Sequence, residues 1–141
     1  MKERVVATGV FDILHVGHLR FLKEAGKLGD ELFVVVSSDK VAEREKRPPL
    51  NSQEDRRELV EALSPVDRAV IGYEGDKYRI LVELKPDILV LGYDQQYDPK
   101  QIEEELKARG CNTRVVRLNC YADQSTSQTI QKINDRLNSS K

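Results

Sequence analysis

Short apolar segments alternate with amphipathic segments along the chain, and this alternation restricts the possible folds more than any other feature of the sequence. Residues 32–36 are apolar at every position, which is typical of a strand covered on both faces of a parallel sheet. Between such runs, apolar residues recur at helical spacing, as Leu19, Leu22 and Ala25 do. Repeated alternation of strands and helices predicts a parallel sheet with helices wound on both of its faces.

The predicted elements form one α/β domain over residues 1–141, a doubly wound, Rossmann-like fold with a five-stranded parallel sheet. Residues 39–51 interrupt the alternation with Arg44, Lys46, Arg47 and two prolines, so we expect a basic loop over the sheet edge. A short polar tail is expected at about 138–141. We predict strands at 5–8, 31–37, 69–71, 88–91 and 114–118, and helices at 18–28, 51–63, 77–84, 99–109 and from 125 onward.

The composition is that of a globular protein, with 39% hydrophobic and 33% charged residues. The formal net charge of -1 argues against a nucleic-acid scaffold. No apolar run approaches the roughly 20 residues of a membrane span, and the N-terminus shows no charged-then-apolar leader. We therefore expect a cytoplasmic protein that binds neither nucleic acid nor membrane.

Two cysteines, Cys111 and Cys120, flank the last predicted strand. They lack the Cys-x-x-Cys spacing of a zinc or redox site. We expect two reduced, partly buried thiols, and a reversible disulfide is the less favoured alternative in a reducing cytoplasm.

Residues 8–18 join the first predicted strand to the first helix and carry the strongest functional signal in the sequence. Gly9 allows a tight turn, and Gly17 allows a phosphate to approach the main chain. The helix N-terminus that follows presents free N–H groups and a partial positive charge to an anion. His15 and His18, the only histidines of the chain, lie at the mouth of this predicted anion site, where imidazoles can donate hydrogen bonds to phosphate oxygens in a transition state. The alternative is that both histidines are ordinary loop or capping residues.

Two further segments follow predicted strands, and the carboxyl ends of parallel strands meet at one edge of the sheet. Asp94 could hydrogen-bond a ribose hydroxyl or a base edge, or it could be an ordinary turn residue. Ser125 and Thr126 open a predicted helix, where hydroxyls and N–H groups either cap the helix or bind a triphosphate. Tyr121 could stack on a base or line its pocket.

The run Thr-Gly-Val-Phe-Asp-Ile-Leu-His-Val-Gly-His over residues 8–18 resembles the signature of the cytidylyltransferase-like nucleotidyltransferases, whose hallmark is His-x-Gly-His. The resemblance covers nearly the whole chain and, within that family, is strongest to archaeal FAD synthases, which transfer AMP from ATP to FMN and release pyrophosphate. Glycerol-3-phosphate cytidylyltransferases, which form CDP-glycerol from CTP, are the alternative, and a nucleotide-binding module without turnover is a second one. Residues 121–124 lack the Arg-Thr-x-Gly-Ile run of cytidylyltransferases, which favours adenine over cytosine.

The resemblance also implies roles for single residues. His15, His18 and Lys46 are expected to be catalytic, with Lys46 acting on the phosphates as a mobile point charge. A divalent metal ion, with Mg²⁺ favoured, is expected as cofactor, and Asp12 either helps to hold it or simply braces the turn. Relatives are often dimers, which favours a homodimer. The implied nucleotide-binding residues are Gly9, Val10, Phe11, His15, Val16, Gly17, His18, Asp94, Tyr121, Ser125 and Thr126.

Two expectations concern the surroundings of this site. Arg56 and Arg57 resemble the family's next basic element, although they could equally pair with carboxylates along their helix. An isoalloxazine ring needs a wide, partly apolar pocket. Tyrosines in or near predicted loops could form its wall, namely Tyr73, Tyr78, Tyr93 and Tyr97.

Overall fold

The computed structural model describes residues 2–45, 47–92, 97–118 and 126–139. Within these ranges five parallel strands form one sheet: β1 (Arg4–Gly9), β2 (Glu31–Val36), β3 (Arg68–Ile71), β4 (Ile88–Leu91) and β5 (Arg114–Arg117). The helices of the same ranges are α1 (Val16–Gly26), α2 (Asp39–Glu45), α3 (Gln53–Glu61), α4 (Arg79–Leu84), α5 (Pro99–Ala108) and α6 (Thr126–Ser139).

The first strand lies in the centre of the sheet, whose order is β3-β2-β1-β4-β5. β1 pairs with β2 from Arg4, opposite Glu31, to Gly9, opposite Val36, and it pairs with β4 on its other side. The chain therefore adds strands outward from β1 on one side and then continues on the other side. This reversal leaves a crevice beyond the carboxyl ends of β1 and β4, which is where ligands of doubly wound folds bind.

Successive residues of the central strands point to opposite faces of the sheet, and helices cover both faces. On one face, Val5 of β1 packs in an apolar cluster with Leu22 of α1 and Val60 of α3. On the other face, Val6 belongs to a cluster that includes Leu106 of α5 and residues of α4. Burial on both faces explains why the strands are unbroken apolar runs in the sequence. The predicted doubly wound α/β domain is confirmed.

The prediction of a loop over residues 39–51 is wrong for its first half, because residues Asp39–Glu45 form α2. The Ser38 hydroxyl accepts a hydrogen bond from the Val41 amide at 3.3 Å, and the Ser38 carbonyl accepts one from the Ala42 amide at 2.9 Å. Ala42 is completely buried, and this one small side chain anchors the helix. A helix with a single buried residue shows no apolar periodicity, so the sequence pattern could not reveal it.

The helices α5 and α6 end close to where the sequence predicts their ends. α5 ends shortly before Gly110, whose φ of 88° is the left-handed conformation typical of a glycine that follows a helix. α6 extends through Ser139 and so includes the start of the segment predicted as a polar tail. Cys111 is a free, partly buried thiol, and Cys120 lies outside the described residues. None of the helices in the described ranges is long and apolar enough to cross a membrane.

Candidate active site

The loop after β1 has an unusual backbone that depends on one small residue. Phe11 and Ile13 have φ values of 56° and 50°, a left-handed conformation that non-glycine residues seldom adopt. This backbone places the Phe11 ring in the core, where it is 5% exposed. A Cβ atom on residue 9 would lie 2.8 Å from Cε2 of that ring, so only glycine fits at Gly9 without a shift. Strain of this kind concentrates at ligand sites and persists only where neighbouring contacts hold it.

Asp12 supplies part of the contacts that hold the loop. Its side chain is buried, and its carboxylate accepts hydrogen bonds from the main-chain N–H groups of Leu50 at 2.9 Å and Asn51 at 3.1 Å. The loop is thereby tied to the segment before α3, which is the bracing role considered for Asp12. In the described ranges, no group of three or more His, Cys, Asp or Glu side chains is arranged to hold a metal ion. The metal role of Asp12 stays a prediction.

Arg56 also holds the loop, and its side chain is completely buried. Its Nη1 donates to the carbonyl oxygens of Val10 at 2.8 Å and Ser37 at 2.9 Å. Its Nε donates to the Asn51 carbonyl at 3.0 Å, and its Nη2 pairs with the Asp39 carboxylate at 2.7 Å. A planar fork with several donors suits this task better than any other side chain. The loop after β1, the end of β2 and the segment before α3 are thus joined at one guanidinium.

The two neighbouring arginines therefore have different roles. Arg57 pairs along its own helix with Glu61, at 3.2 Å and four residues away, as one of the two sequence interpretations has it. Arg56 instead points into the protein and bonds to other segments. Helical spacing alone cannot distinguish the two, because the difference arises from acceptors that lie far away in the sequence.

His15 and His18 begin α1 and hold each other in place. His15 is the N-cap residue, and its Nδ1 accepts a hydrogen bond from the Gly17 N–H at 3.0 Å. His18 Nδ1 accepts one from the His15 N–H at 3.1 Å, which completes a capping box. The centroids of the two imidazole rings lie 4.1 Å apart. The capping interpretation is therefore correct for the local structure, but these bonds use only the Nδ1 atoms.

The caps determine where the imidazole protons lie. A ring nitrogen that accepts a hydrogen bond carries no proton, so each neutral ring holds its proton on Nε2. The Nε2 of His15 is buried and has no hydrogen-bond partner among the described residues. Burial also lowers the pKa of His15 from its usual 6.5, because desolvation disfavours the charged ring. A buried donor of this kind can bind an acceptor that enters the site, such as a phosphate oxygen or a water molecule.

The main-chain amides at the start of α1 are less available to a ligand than the sequence implies. His15 Nδ1 accepts a hydrogen bond from the Gly17 N–H. The His15 carbonyl accepts hydrogen bonds from the N–H groups of His18 at 3.1 Å and Leu19 at 3.4 Å. An anion at this turn therefore depends more on the His15 imidazole than on free N–H groups of the helix. Val16, another predicted nucleotide contact, is 45% exposed on the same turn.

Several predicted site residues fall outside the part of the chain that the structure describes. Lys46, Asp94, Tyr121 and Ser125 are among them, and Thr126 is the first residue of α6, with its side chain also outside the description. The predicted residues from Gly9 to His18 all lie at the end of β1, in the loop after it or in the first turn of α1. β4 runs parallel beside β1, so its carboxyl end at Leu91 lies at the same edge of the sheet as Gly9.

A cavity of about 640 Å³ opens at the carboxyl end of the sheet, on the face covered by α4 and α5. Thr8 and Ser38 line it at the strand ends, and its floor is apolar, with Leu89 and Leu91 among the lining residues. The sequence indicates the aromatic residues of this wall and, in the basic loop, Arg44, but it gives no sign of the other charged residues, such as Asp76, Lys77 and Arg109. Of the tyrosines that line it, Tyr73 and Tyr78 come from the connection between β3 and α4, and Tyr97 comes from the segment before α5. Tyr93 lies outside the described residues.

Tyr97 is held on two sides. Its hydroxyl donates to Glu45 Oε1 at 2.5 Å, and its carbonyl accepts a hydrogen bond from Arg117. Burial, and then the bond to Glu45, raise the pKa of the Tyr97 hydroxyl well above its usual value. The hydroxyl therefore stays protonated and ties the end of α2 to the segment after β4.

Known proteins resemble this chain over most of its length. The profile of a family described as Cytidylyltransferase-like matches residues 6–132. The chain is 54% identical over 137 residues to the FAD synthase of Aciduliprofundum boonei, which covers 95% of this chain and 92% of that protein. It is 51% identical over 139 residues to the FAD synthase of Archaeoglobus profundus, covering 96% and 89%. A crystal structure described as the lipopolysaccharide core biosynthesis protein of Thermoplasma volcanium GSS1 has a TM-score of 0.84 and 44% identity, and covers 86% of this chain and 100% of its own.

We expect both histidines to be Nε2–H tautomers at neutral pH, because each Nδ1 accepts a main-chain N–H. Long-range ¹H–¹⁵N correlation spectra distinguish the two tautomers, and a titration should place the His15 pKa below 6.5. Since the unfolded chain binds this proton more readily, the folded state should lose stability as the pH falls below about 6.5. An Nδ1–H tautomer of His15 would show that its Nδ1 does not accept the hydrogen bond from Gly17 that caps α1.

Replacing Arg56 by methionine should lower the free energy of unfolding by about 3–5 kcal/mol, because a buried charge network loses its centre. The matched control Arg57→Met removes only a surface pair and should cost less than about 1 kcal/mol. Arg56→Lys should resemble Arg56→Met, since one ammonium cannot reach all four acceptors. Urea denaturation followed by circular dichroism measures all three variants. Equal losses for Arg56→Met and Arg57→Met would show that the network contributes little.

Proposed function

Because this chain belongs to the Cytidylyltransferase-like family, we propose that it is an FAD synthase, which transfers AMP from ATP to FMN. The likeness to proteins named FAD synthase, over nearly the whole chain, carries the proposal. In this reaction an oxygen of the FMN phosphate attacks the α-phosphorus of ATP. The bond from that phosphorus to the oxygen that bridges to the β-phosphate breaks, and pyrophosphate leaves. The FMN phosphate is already ionised, so no protein group has to remove a proton.

The cavity beside the sheet supports FMN as the acceptor. Its volume of about 640 Å³ is typical of a pocket for a molecule of this size. Its apolar floor and tyrosine walls suit a flat tricyclic ring. Thr8 and Ser38 also line it, and Thr8 directly precedes Gly9, where β1 ends and the loop after it begins. With the ring in the cavity, the FMN phosphate is directed toward this loop.

We assign the ATP phosphates to the connection between β1 and α1. The Nε2–H groups of His15 and His18 donate to the phosphate oxygens on which negative charge grows during transfer. Asp12 and Arg56 hold the loop before ATP binds, and catalysis of phosphoryl transfer depends mostly on such positioning. Lys46, which directly follows α2 in the sequence, is proposed as the mobile cation on the phosphates.

The remaining nucleotide contacts are proposals of the same kind. Phe11 can contribute only through its main chain, because its ring is packed in the core. Val16 is the exposed apolar side chain of the turn that carries both histidines. The other assigned contacts are Gly9, Val10, Gly17, Asp94, Tyr121, Ser125 and Thr126.

The reaction requires a divalent metal ion, and we propose Mg²⁺. Both carboxylate oxygens of Asp12 accept main-chain N–H groups, and the described residues form no cluster of metal ligands. This chain therefore fits an ion that is held mainly by the phosphates of ATP, as is usual for Mg²⁺. Bound there, the ion neutralises part of the phosphate charge.

A glycerol 3-phosphate acceptor is the less favoured alternative. Glycerol needs a small polar pocket, whereas this cavity is wide and has an apolar floor. A binding module without turnover is also less favoured, because binding alone does not require two histidines at the phosphates. A homodimer and a cytoplasmic location remain predictions from the sequence.

ATP with FMN should be the productive pair, and the preference over CTP with glycerol 3-phosphate should exceed about a thousandfold. The reason is that a polar edge built for one base leaves its donors and acceptors unpaired against another. The purified protein is incubated with each pair and Mg²⁺, and the products are separated by chromatography. CDP-glycerol in place of FAD would overturn the proposal in favour of the alternative.

His15→Asn separates the chemical role of His15 from its role as a cap. Asparagine caps a helix but has no donor at the position of Nε2, so turnover should fall by about 10²–10³-fold with little loss of stability. His15→Ala should lose as much turnover and also about 1 kcal/mol of stability. His18→Ala should lower turnover to a similar extent. Steady-state rates and thermal melts measure both effects, and near-wild-type turnover of His15→Asn would refute the mechanism.

A further inference from the structure

Lys77 lies in the connection from β3 to α4 and lines the cavity. Its ammonium lies 4.4 Å from the centroid of the Tyr97 ring and 5.3 Å from that of the Tyr78 ring. These distances keep the two rings within about 10 Å of each other, so one tricyclic ring can contact both. Aromatic faces hold an exposed cation only weakly, and a polar partner displaces it readily.

The other cations of the cavity wall, Arg109 and Arg44, already have hydrogen-bond partners. Arg109 pairs with the Asp76 carboxylate at 2.6 Å and the Glu105 carboxylate at 3.0 Å. Arg44 donates to the Glu74 carbonyl at 3.2 Å. Across the described ranges, by contrast, the Lys77 ammonium has ring contacts only and makes no hydrogen bond or ion pair. The donors of Lys77 are therefore available to a ligand in the cavity.

The two tyrosines beside Lys77 are fixed, whereas the lysine is not. The Tyr97 hydroxyl is bonded to Glu45, and the Tyr78 amide donates to the Asp76 carboxylate at 3.0 Å. Arg109 also lies 5.0 Å from the centroid of the Tyr78 ring. A flat ligand therefore meets aromatic walls that are already in place, and the long, exposed side chain of Lys77 is the part that moves.

We propose that the Lys77 ammonium binds the polar edge of the flavin ring and thereby selects a flavin among phosphorylated acceptors. When FMN enters the cavity, the ammonium leaves the tyrosine faces and donates hydrogen bonds to the carbonyl oxygens of the ring, which lie on one edge only. A phosphorylated sugar or polyol has no such edge and gains nothing from Lys77. The inference rests on the proposed function, since it takes FMN as the acceptor.

Lys77→Met tests this role, because methionine keeps an unbranched side chain but has no charge and no donor. Two probes are used, FMN and riboflavin, which has the same ring and no phosphate, and binding is followed by quenching of flavin fluorescence. We expect the affinity for both probes to fall by the same factor, about 10- to 100-fold. The affinity for ATP should not change, and KM for FMN should rise while kcat stays near the wild-type value.

The matched control is Lys107→Met, an exposed lysine of α5 outside the cavity, which should bind both flavins as the wild type does. Lys77→Arg keeps the charge and donors and should recover most of the lost affinity. A loss of affinity for FMN alone would show that Lys77 binds the phosphate. Unchanged affinity for both probes would show that Lys77 does not contact the flavin. Either result overturns the inference.

The same samples distinguish failure of this inference from failure of the proposed function. If the wild type binds riboflavin but forms no FAD from ATP and FMN, the proposed function fails, while the comparison of Lys77→Met with wild type still decides the role of Lys77. If the wild type forms FAD and Lys77→Met binds both flavins normally, only the role of Lys77 fails. A wild type that binds neither flavin overturns both.

Discussion

The buried guanidinium of Arg56 is the interaction on which the geometry of the site depends. It donates to the carbonyl oxygens of Val10 and Ser37, which lie far from it in the sequence, and to that of Asn51 just before α3, and it pairs with Asp39. A buried charge is tolerated only if its donors all find acceptors in good geometry. Because the fork is planar and rigid, a shift of any one segment would break bonds to the others. Arg56 therefore fixes the position of the loop after β1 relative to the rest of the sheet edge.

The bonds that hold this loop position a hydrogen-bond donor, the Nε2–H of His15, before any ligand arrives. The left-handed backbone at Phe11 and Ile13 is unfavourable in itself and is kept by the bonds of Asp12 and Arg56. At the end of the loop, the cap on α1 uses Nδ1 of His15 and leaves the proton on a buried Nε2. The fold thus determines the tautomer, and the substrate does not have to induce it. Donors fixed in advance cost no reorganisation when charge develops on a phosphate.

The fold and the central motif could be predicted from the sequence, because both depend on local patterns. Apolar runs such as 32–36 and the spacing of His15 and His18 are visible without tertiary contacts. The inward turn of Arg56, unlike the outward pairing of Arg57, depends on acceptors from other segments, and α2 has one buried residue and no periodicity to reveal it. The cavity was only partly foreseeable: the sequence indicates tyrosines near loops, but only the topology brings Tyr73, Tyr78 and Tyr97 to one wall and places charged side chains around them.

The strand order has a consequence for how such a chain can diversify. After β3 the chain crosses β2 and β1 to reach β4, and this connection contributes Tyr73, Lys77 and Tyr78 to the cavity. The loop that carries His15 belongs to a different connection, the one between β1 and α1. Under the proposed function, choice of acceptor and transfer chemistry are therefore encoded in separate stretches of the gene. An insertion between β3 and α4 would then reshape this wall of the cavity and leave the loop that carries His15 intact.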